Sequence, residues 1–161
     1  MIATLTDLIL SSSVHETLMA HSWIFPTAET VHFMALTLFF GALLILDLRG
    51  MGFYKQLDFK AAHQFVPVVL VAFAFIVCSG LTFIMIDPER YFVNIAFQLK
   101  MGLVLIAGLN ALLFEFLVFK PVLQGAQDIE TSLRAKVIST LSLVIWITVL
   151  ILGRSIPYVE V

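Results

Sequence analysis

Four long apolar runs, near residues 26–48, 65–86, 94–119 and 135–156, decide what this chain can fold into. About 20 apolar residues in helical form cross a bilayer. In hydrocarbon every backbone N–H and C=O must be satisfied internally, so runs of this length read as helices. Composition agrees: 61% of residues are hydrophobic and 12% charged, against about 25% charged in soluble domains. The expected fold is an all-α membrane protein, a four-transmembrane-helix bundle forming one membrane domain over residues 1–161. Lipid is its first partner. A net charge of −2 points away from nucleic acid. The single cysteine, Cys78, lies inside the second run, which excludes a disulfide framework and a thiolate metal cluster. Cys78 itself reads as a small, buried, apolar packing residue.

Residues 1–23 read as two short interfacial amphipathic helices. No basic n-region precedes Arg49, so a signal peptide is not expected. Ile2, Leu5, Ile9 and Leu10 make one apolar face, and Ser13 to Glu16 matches a Ser-x-x-Glu capping box. Trp23 follows as an interfacial anchor. Asp87-Pro88 reads as a stop followed by a start, with Asp as N-cap and Pro at the first helical position. Pro67 marks the start of the second span, and Gln124 to Thr131 forms a polar turn before the fourth.

Charge asymmetry orients the chain. Arg49, Lys55 and Lys60 follow the first span; Lys120, Arg134 and Lys136 flank the third loop. The opposite face carries only Arg90 and Arg154. By the positive-inside rule the basic loops are cytoplasmic and both termini periplasmic, in a bacterial inner membrane.

Within the spans, Lys100 is the costly residue. A lysine in hydrocarbon costs several kcal/mol or more and marks a functional candidate. Counted from the span starts, His32 and Lys100 both lie about six residues deep, roughly 9 Å below one surface. Glu29 stands one helical turn from His32, and Arg154 lies near the same surface. Two readings fit this spacing. In one, Lys100 pairs with Glu29 or snorkels upward, and His32 bonds a carbonyl. In the other, His32 and Lys100 are axial ligands of haem b, with Arg154 near a propionate. Lysine ligates only as the free amine, the form that a low-dielectric surrounding favours.

Other polar positions carry their own expectations. Asn110, near mid-span, is a cofactor-site candidate whose amide is expected to bond a neighbouring helix. Asp47 and Glu115 lie at matching depth and are expected to share a proton or pair with Arg49. His15 and His21 read as ordinary exposed histidines, with capping the site or completing a metal set as the alternative, and His63 reads as incidental. Met34 and Met101, adjacent in sequence to the two key residues, raise copper(I) as an alternative. Ser139, Ser142 and Trp146 form a mildly polar stripe facing the bundle. Ala107 and Ala111, with Gly41, Gly80 and Gly153 elsewhere, are small residues that permit close helix packing.

The segments WIFPTAETVHFMALTLFFGALLILDLRGMG and FIMIDPERYFVNIAFQLKMGLVLIAGLNALLF resemble a family of uncharacterised four-helix bacterial membrane proteins. The shared features are aromatic-x-x-Pro, Glu-x-x-His, Asp-Leu-Arg, Asp-Pro-x-x-Tyr, Phe-x-x-Lys and Ala-Gly-Leu-Asn-Ala. A weaker resemblance links His32, Gly41, Arg49 and Lys100 to the HemJ-type protoporphyrinogen oxidases, small four-span proteins that bind haem b. CopD-type copper-resistance proteins are a more distant comparison. These resemblances imply a haem protein that exchanges electrons with a quinone, a porphyrin or a redox partner subunit. The small packing residues and the wide side faces of four spans leave the chain self-contained or homo-oligomeric. The alternatives are a non-catalytic membrane subunit or assembly protein with a structural polar cluster, and a copper-binding or transport protein.

Overall fold

The computed structural model describes residues 2–126, 128–130 and 132–159. Four helices are long and apolar enough to cross a membrane: Ile24–Gly50, Phe59–Ile86, Ile95–Leu123 and Leu133–Tyr158. They coincide with the four apolar runs, extended by a few residues at their ends.

Two short helices precede them, α1 (Ile2–Leu10) and α2 (Ser13–Ala20). The cap between them is Ser12, not Ser13. Ser12 Oγ donates to the Ile9 carbonyl at 2.6 Å and accepts from the His15 N–H at 3.2 Å, closing one helix while opening the next. Leu5, Leu8 and Leu10 are exposed, so α1 turns its apolar side chains outward, as a helix lying in lipid does. The side chain of Ile2 lies outside the described residues. The His15 ring fastens α2 to the bundle, its Nδ1 lying 2.8 Å from the Met85 carbonyl.

Helix α3 (Ile24–Gly50) ends where Gly52 adopts φ +95°, a left-handed conformation that favours glycine. Its last carbonyls are closed by Gly52 N–H to Arg49 O and Phe53 N–H to Leu48 O, the Schellman pattern. A short α4 (Phe59–His63) leads into α5 (Val66–Ile86), with Pro67 in its first turn. Asp87 serves twice: its N–H ends α5 on Phe83 O, and its carboxylate caps α6 (Pro88–Phe92) through the Arg90 N–H.

Asn94 opens α7 (Ile95–Phe114), its Oδ1 accepting from the N–H groups of Ala96 and Phe97. The same side chain donates from Nδ2 to the Ile156 and Val159 carbonyls, clasping the far end of the last span. Toward its C-terminus the third span widens into a π-helical turn, Glu115–Phe119, followed by α8 (Lys120–Leu123). Lys120 N–H donates to Glu115 O, five residues back. The next residue, Pro121, has no N–H to continue the regular ladder, and the turn expands beside it. Ser132 caps α9 (Leu133–Ser155), and a 3₁₀ turn, Ile156–Tyr158, finishes it. Gln127 and Thr131 of the preceding polar turn lie outside the described residues.

The spans pack as two antiparallel pairs, α3 with α5 and α7 with α9, joined chiefly through α3 and α9. Trp146 of α9 sits at that junction, its ring 4.5 Å from Phe39 and 6.1 Å from Phe73. Ala72 and Ala107 are buried where backbones approach, whereas Ala111 and Cys78 face outward. Cys78 is thus a lipid-facing residue and not a core one, because the adjacent Ser79 takes the inward position.

Candidate functional site

His32 points from α3 toward α5. Its Nδ1 is 2.8 Å from Ser79 Oγ. Ser79 is buried and donates its single hydroxyl proton to the Phe75 carbonyl at 2.6 Å. The oxygen therefore accepts from His32, which places the ring proton on Nδ1 and leaves a lone pair on Nε2. The Ile76 carbonyl also lies beside the ring, as expected of a histidine bonding a carbonyl, and no hydrogen bond to Nε2 is seen among the described residues. The ring packs 5.2 Å from Phe83 and against Gly80, where a Cβ would lie 4.0 Å from Cε1. A histidine's tautomer and orientation are set by the hydrogen bond its other nitrogen makes, in metal-ligating histidines usually to a carboxylate, a backbone carbonyl or water; here a serine takes that place.

Lys100 extends from α7 across Gly153 of α9. A Cβ at Gly153 would stand 3.5 Å from Nζ and 3.7 Å from Cε. The glycine thus provides a smooth surface on which the lysine stem lies. Lys100 is near enough for its charge to act on His32 across the bundle. Among the described residues its Nζ has neither a hydrogen-bond partner nor an ion-pair partner. Glu29 is exposed and does not pair with it; its charge acts on Tyr91 instead. Lys100 thus does not pair with Glu29, whereas a stem reaching up toward the headgroups needs no such contact.

Arg154 lies one residue beyond Gly153 but turns outward. It is exposed, with Nη2 3.3 Å from the Tyr158 hydroxyl and the guanidinium 5.6 Å from that ring. Asn110 belongs elsewhere. It sits ten residues after Lys100, roughly 15 Å further along the helix, and its Nδ2 donates to the Ile138 carbonyl of α9 at 3.1 Å. The interhelical amide bond expected of it is present, far from His32.

Each remaining histidine has a local partner. His21 contacts the Thr17 carbonyl at 3.0 Å, and His15 is held by Met85. His63 lies 3.3 Å from Glu115 Oε2 and stacks on Phe119, so the π-helical turn gives it a defined seat. Glu115 is committed there, and Arg49 is committed to Glu130 at 2.7 Å and to the Leu57 carbonyl at 2.6 Å. Asp47 pairs with neither, contrary to the expectation from depth; Ser142 of α9 stands beside it. Met34 and Met101 are exposed on outward faces and do not join His32. Among the described residues, no three His, Cys, Asp or Glu side chains gather as a metal set.

Sequence reasoning missed Ser79. Its signal was weak but present: a hydroxyl beside Gly80 in an otherwise apolar run. Asn94 was also missed as the clasp between α7 and α9, because it was taken simply as the first residue of the span.

No curated protein and no solved structure matches this chain. The pattern of the Family of unknown function (DUF6644) matches residues 18–159, which include all four spans and every residue of the His32 and Lys100 surroundings. The chain belongs to that family.

Proposed function

We propose that this is a b-type haem protein of a bacterial inner membrane, whose haem iron His32 and Lys100 would hold. One observation carries the reading. Two basic nitrogens inside the spans, His32 Nε2 and Lys100 Nζ, are both without partners among the described residues. Juxtaposing two such groups in hydrocarbon is costly when both are protonated, so their retention calls for a ligand that takes up both lone pairs. Ser79 holds the imidazole in the ligating tautomer, and Gly153 gives the lysine stem a path along α9. Arg154, exposed at the same end, offers a cation to a propionate. Haem, once bound, supplies one-electron chemistry between ferrous and ferric iron. The partners in that exchange would be a quinone, a porphyrin or a redox subunit. The HemJ-type resemblance of His32, Gly41, Arg49 and Lys100 supports the same reading, and the basic loops support periplasmic termini. Asn110 is left out of the haem site.

The test is an absorption spectrum of protein purified in mild detergent, oxidised and dithionite-reduced. A Soret band with α and β bands on reduction is expected, lost in His32→Ala and altered in Lys100→Met. Protein that stays colourless when expressed with added haem precursor would overturn the proposal.

A further inference from the structure

The other end of the bundle holds a second polar cluster, made of oxygens. Asp47 on α3 is 5% exposed, Asn110 on α7 is 4% exposed, and Ser139 and Ser142 on α9 are 0% and 7% exposed. Asp47 Oδ2, Asn110 Oδ1 and Ser139 Oγ are all buried with no hydrogen-bond partner. Buried polar atoms are satisfied in the great majority of cases, so three orphans together call for an occupant.

Helix register brings them together. Asp47 meets Ser142, and Gly50, one turn on, meets Ser139, one turn back on the antiparallel α9. A Cβ at Gly50 would overlap Ser139 Oγ, so glycine is what admits that hydroxyl to the α3 interface. Asn110 bonds the carbonyl of Ile138, the residue next to Ser139. Because that contact is to a carbonyl, the NH₂ group must face it, and Oδ1 is the free end. Ser139 also departs from its own helix. Thr140, Thr148 and Ser155 each return their hydroxyl to the carbonyl four residues back, whereas Ser139 does not.

Charge decides what fits. Among the described residues no cationic side chain pairs with Asp47; Arg49, two residues on, gives Nη2 to Glu130 and Nε to the Leu57 carbonyl, and its buried Nη1, without a partner, does not bond Asp47 either. Water alone would satisfy the hydrogen bonds but leave the carboxylate uncompensated, and a proton alone would neutralise Asp47 but supply one hydrogen bond for three orphaned oxygens. A proton together with water would serve both, and is the outcome that absent Na⁺ binding would show. A divalent ion would leave one positive charge in hydrocarbon. Carboxylate, amide and hydroxyl oxygens are hard donors, suited to hard cations.

We propose that Asp47, Asn110, Ser139 and Ser142 form a binding site for one hard monovalent cation of the sodium class. The site is separate from the His32 and Lys100 pair and lies at the opposite end of the spans.

Equilibrium binding of ²²Na⁺ to the purified protein, in choline chloride at fixed pH, tests this. Saturable binding near one ion per chain is expected. Asp47→Asn, close to isosteric but uncharged, should abolish it while preserving monodisperse elution and helical circular dichroism. Ser139→Ala should weaken it about 10-fold, and it gives the readout should Asp47→Asn fail to fold. Absence of saturable Na⁺ binding in the wild type, or equal binding in Asp47→Asn or Ser139→Ala, would overturn the proposal.

Discussion

The two ends of the bundle solve the problem of polarity in lipid differently. At the His32 end the polar atoms are nitrogens, one on each helix pair, and each lies against a glycine of the helix beside it. At the Asp47 end they are oxygens drawn from α3, α7 and α9, packed where backbones come closest. The first arrangement keeps two nitrogen lone pairs open. The second depends on the close approach of Gly50 to Ser139 across the pairs. The difference teaches that polar residues of similar cost are held in unlike ways: by a glycine of the paired helix at one end, by contact between the pairs at the other.

The largest expected effect breaks the Asp47 end. At Gly50 a new Cβ would meet Ser139 Oγ, and would also lie 3.1 Å from Ser139 Cβ and 3.3 Å from Phe114, so rotating one hydroxyl does not clear it. Gly50→Val should destabilise the protein by about 3 kcal/mol, read from thermal unfolding in detergent. If the ends are independent, the spectrum of whatever protein stays folded should be unchanged.

Next in size is the clasp at the His32 end. Asn94→Ala removes a helix cap and two bonds to the end of the fourth span. A loss of about 2 kcal/mol is expected, together with faster amide exchange over residues 156–159. An equal loss of protection around Ser139 would show that the two ends unfold as one unit.

A third change sharpens the chemistry. Ser79→Ala keeps His32 but removes the acceptor that fixes its tautomer. Haem retention should fall about 10-fold, with the helices intact by circular dichroism. Unaltered retention would mean that the ring is oriented by Phe83 and Gly80 alone.

The smallest effect is a pH response at the His32 end. Burial holds the Tyr91 phenol above its ordinary value of 10.0, with Asp87 and Glu29 adding to the shift and Arg90 opposing it. A raised folded-state value means stability that is present below the unfolded value and lost as pH rises through the folded one. Stability should therefore decline in alkali above about pH 10, and Tyr91→Phe should flatten that decline in a detergent unfolding series.

Depth was readable from the sequence; rotation about each helix was not. Hydropathy located the four spans, and Asp87-Pro88 marked the break between α5 and α6 correctly. Ser139 and Ser142 were read as facing the bundle, and both are buried. Asp47 was matched to Glu115 because the two share a depth, yet the π-helical turn swings Glu115 to His63. Cys78 was turned inward when Ser79 holds that place. The physical cause is common to these cases. Lipid and protein core are both apolar, so a span carries little amphipathic signal to say which side faces which. Only the rare polar residue reports the angle, and it does so after its partner is known.

Trp146 has one further consequence. The chain contains 2 tryptophans. Trp23 is 62% exposed at one end of the bundle, and Trp146 is wedged between Phe39 and Phe73 where the helix pairs join. The protein thus contains two native fluorophores in unlike surroundings. A water-soluble quencher selects the first, and the emission of the second follows any parting of the two helix pairs. Opening of the bundle can be timed optically without attaching a label.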